Sequence, residues 1–353
     1  MTSQRLSMRI ENLPGEIWAK IAKIDELKGQ WTGGVHLSPQ ILGRLKQSVL
    51  ITSTGASTRI EGARLSDEDV EKLMRGISVQ RFTDRDKQEV QGYYELLQNI
   101  FESWRSVRFS ESSIKHFHQE LLKYAEKDKQ HKGEYKKTEN KVHLVDASGK
   151  STDILFDTTP AYLTSKEMQE LVEWTQAAFK EKKFHPLFVI GNFLVEFLKI
   201  HPFQDGNGRL SRVLTNLLLL QQGYLYAPYV SHEKLVEDNK VDYYIALRKS
   251  QKTFGKEKED IVPWLDLFLS MALEQAGRAV ALLSKESVEK LFSPKQIKVL
   301  EYFQTVDEAA PGELAKNLKI ARPTVSQVLS RLLQFKKIER IGQGRSTRYR
   351  KIL

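Results

Sequence analysis

Twelve residues at 201–212, HPFQDGNGRLSR, put a histidine, an aspartate, an asparagine, two glycines and two arginines into one short stretch. An imidazole with an ordinary pKa of ~6.5 can take a proton from a hydroxyl nucleophile, which makes His201 a candidate general base. Asp205 supplies the hard oxygen that Mg2+ accepts when it is held by a carboxylate and by substrate phosphates. Asn207 can donate to a phosphate oxygen, and Gly206 and Gly208 leave room for a phosphate to approach the backbone. Arg209 and Arg212 are three apart, so on a helix their guanidinium groups share a face. Base, metal ligand, phosphate cradle and two cations together describe nucleotidyl or phosphoryl transfer. Any one of these residues alone reads as structural; the full set in one loop points to chemistry.

Two apolar runs must position this loop. PLFVIGNFLVEFLKI precedes it and VLTNLLLL lies within the segment that follows, and both read as buried helices. The glycines end the first near Ile200 or His201. The second carries Leu210, Val213, Leu214, Leu217 and Leu218 on one stripe and stops at Gly223. DGNGR therefore opens a helix, where backbone N–H groups are unpaired and attract anions.

At this point the chain resembles a known family. HPFQDGNGRLSR is similar to the Fic motif, His-Pro-Phe-x-Asp/Glu-Gly-Asn-Gly-Arg-x-x-Arg, with every defined position filled. The likeness extends over roughly residues 35–275, including GEYKK at 133–137 and SHEKLVEDNKVDYYIALRKSQ at 231–251. It implies a Fic-type helical core with a β-hairpin flap, and transfer of AMP from ATP to a Ser, Thr or Tyr hydroxyl of a target protein, the chain itself included. It implies His201 as the base, Phe203 as a core anchor, Asp205 as the Mg2+ ligand and Gly206, Asn207 and Gly208 as the anion pocket. Arg209 and Arg212 would hold the β- and γ-phosphates, with Asn239, Tyr243 and Tyr244 near the nucleotide. The hairpin at 133–160 matches the flap that aligns a target segment by strand addition. Tyr135-Lys136 stands where many relatives have an aromatic residue followed by arginine.

STRIEG, residues 57–62, resembles the family's inhibitory pattern, Ser/Thr-x-x-x-Glu-Gly/Asn, and lies before the core as in one class of the family. Ser57 and Glu61 are one helical turn apart and face the same side, with Gly62 closing the motif. The resemblance implies that Glu61 occupies Arg212 and denies it to the γ-phosphate. The structural alternative is a helix cap at Ser57 and a surface acid at Glu61.

Around these motifs, 353 residues exceed one hydrophobic core, so two or three domains are expected. The absence of cysteine excludes disulfides, thiolate catalysis and Cys-ligated zinc. No apolar run reaches the ~18 residues of a membrane helix, and the first residues do not read as a secretion signal. A soluble, cytoplasmic protein is expected. Its fold class is mainly α. Residues 1–105 form an N-terminal helical region, 106–285 the catalytic core, and 290–353 a winged helix-turn-helix. Within the first region, residues 37–76 read as a helix, a Gly/Ser/Thr-rich break, a short helix and a further helix capped by Ser66. Val90, Tyr94, Leu97 and Ile100 align on one helical face. His116 and His118, two apart on a helix, point to opposite sides and do not form a metal pair.

Of the formal charge of +10, most lies at the C-terminus, where residues 294–353 carry 13 Lys/Arg against 5 Asp/Glu. In ARPTVSQVLSRLLQF, Val325, Val328, Leu329 and Leu332 face a core. Arg322, Thr324, Ser326, Gln327, Ser330 and Arg331 form the opposite face, suited to a major groove. Arg345, Arg348 and Arg350 on the wing could reach DNA phosphates. The helical surface and the winged helix also suit a homodimer. Two function classes follow: an autoinhibited protein adenylyltransferase, or a DNA-binding regulator whose Fic domain senses a nucleotide. De-AMPylation or another phosphate-group transfer is a variant of the first. Intact His201 and Asp205 favour the enzyme.

Overall fold

A computed structural model describes residues 2–34, 37, 39–76, 84–125, 131–145, 151–283, 292–334, 337–342 and 347–352. The hairpin turn at 146–150, the boundary segment 284–291 and Arg345 lie outside the described residues. The chain divides into two compact units, Met1–Gly29 with Ser48–Gly277, and Gln30–Gln47 with Arg278–Leu353. Helices dominate, as the sequence leads one to expect, and among the described residues none is long and apolar enough to cross a membrane.

The helices before the hairpin are α1 (Thr2–Met8), α2 (Gly15–Gly34), α3 (Pro39–Ile60), α4 (Asp67–Met74), α5 (Asp84–Ser103) and α6 (Glu111–Leu121). Strands β1 (Lys141–Val145) and β2 (Ser151–Asp157) pair antiparallel, from Lys141 opposite Asp157 to Val145 opposite Ser151, with two register shifts. Then come α7 (Ala161–Glu181), α8 (Pro186–Ile200), α9 (Asn207–Gln221), a 3-10 turn (Ala227–Tyr229), α10 (His232–Asp238), α11 (Lys240–Gln251) and α12 (Val262–Ala281).

Helix α8 organises the first unit. Thirteen of its fifteen residues are buried, so it is apolar all round and can only be a central helix. Pro186 at its first position has the backbone angle a helix start needs and forfeits an N–H that would be unpaired anyway. Its neighbours α7, α9 and α11 cover it. Its one buried acid, Glu196, receives Arg5 at 2.7 Å and Arg9 at 2.6 Å, which ties α1 to the core by paired rather than isolated charge.

One local expectation fails. Helix α3 runs unbroken from Pro39 to Ile60 through the Gly/Ser/Thr-rich stretch read as a break. Ser53, Thr54, Ala56, Ser57 and Thr58 are all buried, so tertiary packing overrides weak helix propensity there. Thr58 donates to Thr54 O at 2.9 Å, Ser53 lies 2.8 Å from Ser231 and Ser57 accepts from Arg212 at 2.8 Å, while among the described residues the Thr54 hydroxyl has no partner. Ser66 does cap α4, reciprocally with Asp69. Val90, Tyr94, Leu97 and Ile100 are buried along α5 as their spacing predicts.

The second unit contains α13 (Pro294–Thr305), α14 (Pro311–Leu318), α15 (Arg322–Gln334) and the antiparallel pair β3 (Ile338–Ile341) and β4 (Arg348–Lys351). Val325, Val328, Leu329 and Leu332 of α15 are buried, while Arg322, Ser326, Gln327, Ser330 and Arg331 are exposed. Arg348 is paired with Glu308 and Glu313, each at 2.9 Å, and Arg350 with Glu339.

Candidate active site

The loop at 201–206 is built by stopping α8 abruptly. His201 adopts the left-handed conformation (φ 50°, ψ 60°), which a non-glycine residue holds only under tertiary constraint. Pro202 cannot continue the helix. Phe203 turns fully inward and stacks on His118, with ring centroids 3.8 Å apart. Asn207 then closes the loop on itself: its Oδ1 accepts from Phe203 N–H at 2.9 Å and its Nδ2 donates to Phe203 O at 2.7 Å. The Asn207 side chain, read from the sequence as a phosphate donor, is therefore committed to the loop. What the start of α9 presents is backbone, since Leu210 N–H is the first to bond back, to Gly206 O at 2.8 Å. Gly206 sits at φ +78°, where only glycine is unstrained, and a Cβ there would meet Leu121 Cδ2 at 3.3 Å.

His201 Nδ1 donates to Leu198 O at 3.3 Å, which puts the lone pair on Nε2, where it can accept a proton. Burial lowers the imidazole pKa to about 4, helped by the Lys136 charge and opposed by the Leu198 carbonyl, Glu61 and Asp205. The ring is thus neutral at pH 7. Burial pushes the Asp205 carboxyl up, but Arg209, the Gly206 N–H and Arg85 outweigh it and hold it below the usual range. Asp205 remains 40% exposed and can reach an incoming ion. Among the described residues no three metal-binding side chains cluster. One accessible, ionised carboxylate fits Mg2+ carried in with phosphates.

The two arginines diverge. Arg209, 2% exposed, lies between Asp205 (Nη2–Oδ2, 3.1 Å) and Glu89 of α5 (Nη1–Oε2, 3.0 Å). Glu89 in turn receives Arg85 Nε at 2.8 Å, and Arg85 Nη2 comes back to Asp205 at 3.6 Å. Four alternating charges close a ring. Among the described residues Arg209 Nε finds no acceptor. Arg212 points instead to α3, donating through Nε to Ser57 Oγ at 2.8 Å and through Nη2 to Ser57 O at 3.0 Å and Glu61 Oε1 at 2.8 Å. Burial acts to lower the Arg212 pKa, but Glu61 and Tyr93 more than offset it, so the guanidinium stays charged. Glu61 follows the last residue of α3, and Gly62 (φ +102°) turns the chain away. A Cβ on Gly208 would lie 2.5 Å from Glu61 Oε1, so this carboxylate covers the first turn of α9, the place an anion would take.

The hairpin base is pinned to the same loop. Lys136 Nζ, buried, donates to Asn140 Oδ1 (2.8 Å), Thr158 Oγ1 (2.9 Å) and Ile200 O (3.0 Å). Burial brings its pKa down to about 8, with Glu139 opposing and Lys199 assisting. Asn140 also donates to Phe203 O at 2.9 Å. Tyr243 is buried and packs edge-on to Tyr244, and the Arg212 and Glu61 charges act on both. Asn239 turns back on its own helix end, donating to Leu235 O at 2.9 Å.

His118, Glu89 and Lys136 were not singled out from the sequence as site residues. His118 is buried, accepts Gly133 N–H on Nδ1 at 2.9 Å and faces Asp205 O through Nε2 at 3.0 Å. In the charge ring the pairs Arg85–Glu89 and Asp205–Arg209 each have a sequence signal, i,i+4 spacing, but the link between them does not; the partners of His118 are 15 and 87 residues away.

The fold is mainly helical, with a hairpin pinned beside a helix-start loop, and residues 108–219 match the family model described as Fic/DOC. Among curated proteins, the chain is 31% identical over 135 residues to a protein adenylyltransferase Fic of Aedes aegypti, a match covering 37% of this chain and 25% of the relative. It is 33% identical over 98 residues to a Fido domain-containing protein of Dictyostelium discoideum, covering 26% and 64%. The chain thus spans about a quarter of the mosquito protein. Its fold resembles the crystal structure of a Fic family protein from Desulfovibrio desulfuricans, with TM-score 0.66 and 23% identity over 97% of both chains.

Proposed function

We propose that the chain is an autoinhibited protein adenylyltransferase. The observation that carries the reading is the Glu61 carboxylate on Arg212, over the first turn of α9. An acid held at a helix start by a buried arginine marks a site shaped for an anion. His201 Nε2 supplies the matching base. In the reaction, a target Ser, Thr or Tyr oxygen attacks the α-phosphorus of ATP and its proton passes to His201 Nε2. The bond to the bridging oxygen breaks and pyrophosphate leaves. Mg2+ on Asp205 and the phosphates would neutralise the leaving charge. Backbone N–H groups of α9, with Arg209 and Arg212, hold the β- and γ-phosphates, and the latter is admitted only when Glu61 withdraws. Asn239, Tyr243 and Tyr244 flank the nucleotide, and the hairpin edge aligns the target.

Glu61→Gly with Mg2+ and ATP should acquire AMP-sized mass adducts and α-phosphate label, and His201→Ala in that background should abolish both. Label from the γ-phosphate instead would mean kinase-like chemistry. Absence of both would leave the nucleotide-sensor reading. For the second unit we propose a winged helix that docks α15 on DNA, supported by its exposed Arg322, Ser326, Gln327 and Arg331. Thr324 lies on the same helix. Arg348, already paired with two acids, is the weaker candidate.

A further inference from the structure

The inhibitory hexapeptide contains a residue that the reading above leaves unused. Arg59 lies between Ser57 and Glu61 but points away from Arg212. Its Nε donates to Glu237 Oε1 at 2.6 Å and its Nη2 to Glu237 Oε2 at 3.1 Å, a two-pronged pair with α10. Its Nη1 donates to Leu65 O at 3.0 Å and to Asp67 Oδ1 at 2.9 Å, which gathers in the turn between α3 and α4. Asp67 is held from its other oxygen by Thr52 at 2.9 Å, and Glu237 by Lys234 at 3.0 Å. Beside this cluster Lys240 of α11 donates to Ile60 O at 2.7 Å, capping an open carbonyl at the end of α3.

Glu61 itself is weakly built in. It lies beyond the last helical residue, its side chain is 36% exposed, and the contact it makes on Arg212 is one ion pair. A carboxylate so placed is aimed by its backbone, and the backbone from 59 to 67 is held by Arg59. The Arg59 and Glu237 side chains are 22% and 19% exposed, so their pairing is less screened than a surface bridge. Their proton affinities agree with strong pairing. The hydrogen bond to Glu237 raises that of Arg59 against a burial cost; burial would raise that of Glu237, but Arg59 and Lys234 bring it below the usual range.

We infer that Arg59 and Glu237 form a latch that positions Glu61 on Arg212, so that opening this pair releases the anion site without any change to Glu61. The inference rests on the autoinhibition proposed above. Arg59 and Glu237 are positioning residues, acting through Glu61. The latch joins the inhibitory segment to α10, which leads through Asn239 into α11 with Tyr243 and Tyr244, so a ligand or partner that shifts those helices would draw on the same pair.

The test is epistasis in the full-length chain, read as α-phosphate label from ATP. Arg59→Ala and Glu237→Gln should each raise self-labelling at least tenfold over the natural sequence. In a Glu61→Gly background neither should add more than twofold. Arg59→Lys, which keeps the charge but loses the two-pronged geometry, should fall between. Gly55→Ala is an independent route to the same end, because its Cβ would come within 2.6 Å of both Arg59 Nη1 and Asp67 Oδ1 and force them apart. If Arg59 and Glu237 variants lower labelling equally in both backgrounds, their role is structural and the latch is refuted. If they leave labelling unchanged while Glu61→Gly raises it, the latch alone is refuted. If Glu61→Gly gains no label, autoinhibition fails and the latch falls with it.

Discussion

Replacing His118 by alanine should loosen the 201–206 loop and the hairpin base together. The imidazole accepts Gly133 N–H at 2.9 Å, which forces the proton onto Nε2 and makes it the donor to Asp205 O at 3.0 Å. One neutral ring therefore joins the segment before the hairpin to the loop before α9, while stacking on Phe203 at 3.8 Å. Both hydrogen bonds are partly buried, so losing each costs about 1 kcal/mol, near the middle of the usual range. Removing a fully buried ring that packs against an aromatic adds about 2–3 kcal/mol. The sum is about 4–5 kcal/mol. His118→Gln, which can keep one of the two bonds, should cost about half. Urea unfolding would give the free energies, and amide exchange at Gly133 would test the geometry, with much faster exchange expected in the alanine variant. A cost below about 1 kcal/mol, or unchanged exchange at Gly133, would refute the reasoning.

Glu89→Gln should destabilise the chain by about 2 kcal/mol, because Arg209 is left buried with Asp205 as its remaining acid. Arg85→Ala, at the exposed end of the same ring, should cost less than about 0.5 kcal/mol in the same urea titration. The His201 ring should titrate near pH 4 by imidazole NMR. Because that value lies below the ordinary one, the neutral form is favoured by folding, a contribution complete above about pH 6.5 and lost as pH falls through about 4. Label transfer by Glu61→Gly should accordingly hold from pH 7 to 5 and fail near 4; a midpoint above 6 would contradict the burial of the base.

Local rules carried the reading of the sequence as far as helices, faces and termini. The length and apolarity of 186–200 dictate a buried helix, the glycines at 206 and 208 dictate where the next one starts, and i,i+4 spacing puts Ser57 and Glu61 on one side. The error at 52–58 has the opposite origin: small polar residues have weak helix propensity alone, and burial against other elements keeps α3 continuous. Asn207 shows the same limit at the site, since nothing in its spacing reveals that both ends of its amide are spent on Phe203.

Arg209 and Arg212 mark the division most clearly. Their separation by three residues is a property of the chain and puts both near the start of α9 whatever surrounds it. Their partners are not: Arg209 meets Glu89 and Asp205, and Arg212 meets Ser57 and Glu61 across 151 residues or more. Backbone periodicity acts over a turn or two, so composition and spacing determine which chemistry the chain carries and on which helix. The charge each group feels depends on side chains brought close by packing of distant segments. That is why the tertiary structure alone decided that His201 is neutral, that Glu61 lies on Arg212 at the first turn of α9, and that Arg59 is bound to Glu237.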